Sequence, residues 1–98
     1  MKRMELVANK SVEEEIISAL EAGIHNFYYT LFPMVHGRGK TQYRLSTPTW
    51  PETNFLLISY LDDQDADMAK AVVMEIKKRF PKEGIKLFFI NGIPLSTS

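Results

Sequence analysis

The residues best suited to chemistry lie in one stretch, His36-Gly37-Arg38-Gly39-Lys40-Thr41-Gln42-Tyr43-Arg44, which runs on to Trp50-Pro51. Two glycines let backbone amides approach an anion closely, and two cations can neutralise it. Gly37, Arg38, Gly39 and Lys40 are therefore candidate ligand-binding residues for a phosphate or a carboxylate. Their spacing is not that of a P-loop or of a dinucleotide fingerprint. Gln42, Tyr43 and Arg44 are polar groups suited to a partner surface. Trp50, the only tryptophan, is bracketed by Pro48 and Pro51. It either pins the stretch to the body of the protein or serves as a hot spot for a partner.

Other reactive groups are sparse. No cysteine is present, which excludes disulfides, thiolate chemistry and Cys-ligated zinc or iron–sulfur clusters. His25 and His36 are the only histidines, and neither has a neighbour at metal-binding spacing, so a metal site stays open only between subunits. Asp62-Asp63-Gln64-Asp65-Ala66-Asp67 faintly resembles a calcium loop, but the required glycine and distal glutamate are absent. Helix capping explains that run better. No Ser–His–Asp set or isolated carboxylate pair stands out. No catalytic residue is assigned, and the chain reads as a non-enzyme.

Composition narrows the class further. Twelve Lys and Arg balance twelve Asp and Glu in 98 residues. A neutral balance lacks the basic excess that non-specific nucleic-acid binding needs. The length suits a single domain, residues 1–98, with a modest core. The basic start, Met1-Lys2-Arg3, is not followed by an apolar run of signal-peptide length, and no stretch could span a bilayer. The expectation is a soluble, cytoplasmic protein without membrane insertion.

The elements that must position these groups follow from hydrophobic period, which switches from two to about 3.6 and back, twice. Met4, Leu6 and Ala8 alternate with Arg3, Glu5 and Val7, which predicts a first strand. Ser11 and Glu14 have the spacing of a capping box. Val12, Ile16, Ala19, Leu20 and Gly23 share one helical face, with Gly23 placed for a left-handed helix end. Phe27 to Val35 predicts a second strand, with Pro33 pointing to an edge or a bulge. Asn54 to Leu61 predicts the third. One of the following aspartates should cap the second helix, whose stripe is Ala69, Val72, Val73, Ile76 and Phe80. Pro81 stops it, and Ile85 to Ile90 predicts the fourth strand. Pro94 to Ser98 reads as a loose tail.

That order is the ferredoxin-like βαββαβ arrangement, an α+β fold with a four-stranded antiparallel sheet and two helices on one face. A loop of about residues 37–53 between the second and third strands is long for so small a domain. Both parities of three strands are mostly apolar. Leaving the helix-free face open would expose more apolar surface than monomers usually carry. Burial against other copies of the chain is expected.

With these features the chain resembles the PII nitrogen-regulatory signalling family and its PII-like relatives. The resemblance spans nearly the whole length: a Met-Lys type first strand, the turn Gly37-Arg38-Gly39 after the second strand, a loop, and the second helix and fourth strand. It implies a trimer whose sheets face inward. It implies a small effector, typically an adenine nucleotide, held between subunits, with Gly37, Gly39 and Lys40 at the loop base near phosphate. It also implies a loop that contacts a target protein. The effector's identity stays open, and so does any cofactor.

Three other functions compete on the same architecture. One is a metal-binding trimer similar to the divalent-cation-tolerance proteins, with His25, His36 and nearby carboxylates as ligands. An acylphosphatase needs an arginine in a glycine-rich loop after the first strand, and Ala8-Asn9-Lys10-Ser11 has neither. An RNA-recognition module needs basic residues beside exposed aromatics, and Asn54 to Leu61 contains no Lys or Arg.

Overall fold

The computed structural model describes residues 1–36 and 53–95. Its elements are β1 (Lys2–Asn9), a 3-10 turn (Lys10–Val12), α1 (Glu13–Gly23), β2 (Thr30–Val35), β3 (Asn54–Leu61), α2 (Asp63–Arg79) and β4 (Ile85–Asn91). The four strands form one antiparallel sheet in the order β2-β3-β1-β4. This is the expected ferredoxin-like arrangement.

One face of the sheet is sealed by the two helices. Met4, Leu6 and Ala8 of β1 pack with Phe55 and Leu57 of β3, Ile16 and Leu20 of α1, and Ala69, Val73 and Ile76 of α2. The strict alternation of β1 and β3 produces this, because successive side chains point to opposite faces. The inward set of β3 is Phe55, Leu57, Ser59 and Leu61.

Local details depart from sequence expectation in three places. The capping box at Ser11 and Glu14 does not form. Asn9 instead accepts a 2.9 Å bond from the Ser11 amide, and the chain makes a 3-10 turn before α1 begins at Glu13. Ser11 thus lies too early to cap α1. Glu13, Glu14 and Glu15 in its first turn face the positive end of the helix dipole.

Gly23 is not left-handed; among the described residues, positive φ falls at Asn26, at 53°. Space is tight at Gly23, since a Cβ there would sit 3.0 Å from Val72 Cγ2 on α2 and that side chain would have to shift. The two helices touch at this point.

The third departure is the start of β2. It begins at Thr30, not Phe27. Phe27 is drawn into the core beside Ile24, and its ring stacks on Tyr29 at 5.3 Å. Pro33 sits in a register shift between Phe32 and Val35 of this edge strand, as the sequence predicts. The second helix also follows expectation: Asp62 accepts a 2.7 Å bond from the Asp65 amide at its start, and the helix ends before Pro81.

The helix-free face is read directly from the register. Across β2, β3, β1 and β4, one row is Phe32, Leu56, Val7 and Lys86; the next is Thr30, Ile58, Glu5 and Phe88. The third row holds Tyr60, Arg3 and Ile90. Tyr60, Phe88, Ile90 and Phe32 are 56%, 55%, 48% and 44% exposed. A single chain therefore leaves an apolar, partly aromatic surface uncovered.

Candidate functional site

The predicted ligand-binding residues Gly37, Arg38, Gly39 and Lys40, and the predicted partner-binding residues Gln42, Tyr43, Arg44 and Trp50, lie outside the described residues. What the structure defines is the stem from which they extend. β2 ends with Val35 opposite Asn54, so the segment 37–52 leaves and returns on neighbouring strands.

Lys10 grips both sides of this stem. Its amide donates a 2.9 Å bond to the Thr53 carbonyl at the entrance to β3. Its ammonium donates to the Pro33 carbonyl on β2 at 3.2 Å and pairs with Glu13 at 2.8 Å. The register shift around Pro33 takes the backbone out of the regular ladder. Lys10, at the turn after β1, reaches the carbonyl there. The sequence predicts a turn at Asn9-Lys10 and carries no sign of this role.

A second connection arrives at the same end of the sheet. Ala8 at the end of β1 pairs with Ile85 at the start of β4, so the turn 81–84 lies at the end where β1 finishes and the stem emerges. Lys77 ties α2 to the start of β4 by donating to the Ile85 carbonyl at 3.2 Å. Three chain segments thus converge: the turn after β1, the stem at 35 and 53–54, and the turn into β4. At this end the ammonium groups of Lys10 and Lys77 are spent on backbone carbonyls, so they brace the three segments.

The histidines are not brought together. His25 precedes β2 and His36 follows it, so the length of that strand separates them, and both are exposed. Among the described residues, no group of three or more His, Cys, Asp or Glu is arranged to hold a metal ion. The aspartate run is used locally, with Asp62 capping α2. No described helix is long and apolar enough to cross a membrane.

In class, this is an α+β chain of ferredoxin-like topology with a stem-borne segment between its second and third strands. Solved structures similar to it include PII-like signalling proteins. One, from Thermus thermophilus and described as a PII-like signalling protein, is 17% identical, with a TM-score of 0.59 over 91% of this chain and 83% of that one. CPII from Thiomonas intermedia K12, a nitrogen regulatory PII-like protein bound to ADP, AMP and bicarbonate, is 11% identical, with a TM-score of 0.62 over 91% of this chain and 84% of that one. The de novo designed protein Foldit4 is 10% identical, with a TM-score of 0.60 over 94% and 98%. A designed protein matches as well as natural ones, so likeness at this identity establishes the fold and not the activity. No family model matches the chain, and no curated protein sequence does. The PII-like resemblance implied by the sequence is thus met by structural neighbours at the level of the fold.

Proposed function

We infer that the chain is a non-catalytic, PII-like regulatory protein: a homotrimer, acting in the cytoplasm as a single domain of residues 1–98. It senses a small anion or nucleotide between subunits and presents the loop of about residues 37–53 to a target protein. The observation that carries this reading is the stem. Lys10 holds both strands at the foot of a segment that opens with Gly37-Arg38-Gly39-Lys40. The bicarbonate and adenine nucleotides in CPII, which shares the fold, name the ligand classes to try first. The apolar helix-free face supports assembly.

Calorimetry tests the reading with ADP, AMP, ATP, bicarbonate and divalent metals on the wild type and on Arg38→Ala and Lys40→Ala. An anion should bind, and loss of a directly bonded cation should cost roughly 1–3 kcal/mol. Affinity unchanged in both variants would move the site elsewhere. Binding of a metal alone, lost on His36→Ala, would favour the divalent-cation alternative.

A further inference from the structure

The helix-free face carries one charged pair at its centre. Arg3 and Glu5 sit on β1, which is flanked on both sides by other strands. In register, Arg3 lies between Tyr60 and Ile90, and Glu5 between Ile58 and Phe88. An ion pair is therefore framed by apolar and aromatic side chains. Arg3 Nε is 2.8 Å from Glu5 Oε2, and the two side chains are 37% and 29% exposed.

The pair is far from saturated. Arg3 Nε is buried from solvent, yet its contact with Glu5 is off the line of a hydrogen bond. The guanidinium reaches the Tyr60 hydroxyl only at 3.5 Å. A guanidinium has five N–H donors, and a carboxylate can accept about four hydrogen bonds. Covering such a pair costs stability unless the covering surface supplies the missing partners.

We propose that the helix-free face meets further copies of this chain, with Arg3 of one copy donating to Glu5 of the next. This rests on the self-associating reading above and adds the contact that selects the partner. A second copy fits on two grounds. It brings the same apolar surface, and it brings both charges at once. A uniformly acidic or basic partner would satisfy one member of the pair and repel the other. Repeated around a closed symmetric oligomer, Arg3 and Glu5 form a ring of alternating charge in which every copy gives and receives one contact. Side-by-side opposite charges then fix how the copies are rotated against one another, which apolar contact alone does not.

The test is sedimentation or light scattering of the wild type, Arg3→Glu, Glu5→Arg and the double variant carrying both changes, with circular dichroism to confirm folding. The wild type should be oligomeric. Each charge reversal should weaken assembly by about tenfold or more. The double reversal should restore it, because Glu at position 3 of each copy then meets Arg at position 5 of the next, whatever the number of copies in the ring. If a reversal prevents folding, Arg3→Met and Glu5→Gln serve instead, each leaving one charge unmatched and each expected to weaken assembly. An oligomeric wild type whose variants assemble unchanged would overturn the charge exchange and leave self-association standing. A wild type monomeric at about 100 μM would overturn both, since a specific contact should hold at that concentration.

Discussion

The Ser59 hydroxyl donates a 2.6 Å hydrogen bond to the backbone carbonyl of Tyr28. Ser59 is the buried polar residue among the described side chains, on the inward face of β3. The backbone pairing of β2 with β3 stops at Thr30 and Ile58. Beyond that point a side chain takes over and holds the segment that carries Phe27 into the core. Ser59→Ala leaves that carbonyl without its donor. It should lower stability by about 1–2 kcal/mol in urea unfolding. A loss below a few tenths would mean that water replaces the hydroxyl.

Gly23→Ala should destabilise the protein, although alanine is the better helix former by up to about 1 kcal/mol. The added methyl would press on Val72, whose branched side chain has little rotamer freedom in a helix. The decisive measurement is a double-mutant cycle with Val72→Ala. The second change should relieve the first, giving a coupling of about 0.5 kcal/mol or more. Strict additivity would show that the helices simply move apart.

Asp62→Ala removes the side chain that accepts from the Asp65 amide at the start of α2. A loss of about 1 kcal/mol is expected, with Asp62→Asn close to wild type, because asparagine caps equally well. Thermal or urea unfolding of the two variants checks it. Equal losses would point to charge and not to the cap.

Lys10→Met keeps the amide bond to Thr53 but loses both ammonium contacts. The side chain is nearly half exposed, so the global cost should stay under about 1 kcal/mol. The effect should be local. Hydrogen exchange should accelerate in β2, Thr30–Val35, and remain unchanged where β1 pairs with β3. Uniform acceleration would show that Lys10 supports the whole fold instead of the stem.

The fold was legible where the pattern is local. Alternation of Met4, Leu6 and Ala8, the stripe Ala69, Val73 and Ile76, and the edge signal of Pro33 each place an element without knowledge of its neighbours. Sequence reading failed where a distant group decides. The Phe27–Tyr29 segment is β-favouring, yet the core takes Phe27 and a hydroxyl of β3 takes the Tyr28 carbonyl. α1 does end at Gly23 as expected, but without the left-handed turn, and the residue's close neighbour is Val72 on the other helix. The site was legible in part. Glycine and cation spacing marks Gly37 to Lys40, which lie outside the described residues. The Lys10 grip depends on a register shift in another strand and leaves no trace in the residues around position 10.

The central position of β1 also bears on the order of events during folding. The first strand made pairs only with the third and the last, with Lys2 beside both Leu61 and Asn91. β3 is about half the chain away from it and β4 most of the chain away, and closing such long loops is slow. During synthesis β1 must wait, with its apolar face uncovered, until β3 has left the ribosome. Only with β4 does it acquire its second neighbour. A pause in translation between the two halves should therefore expose the nascent chain to chaperone capture, and a weakened β1 should be felt in folding yield before it is felt in the stability of the finished protein.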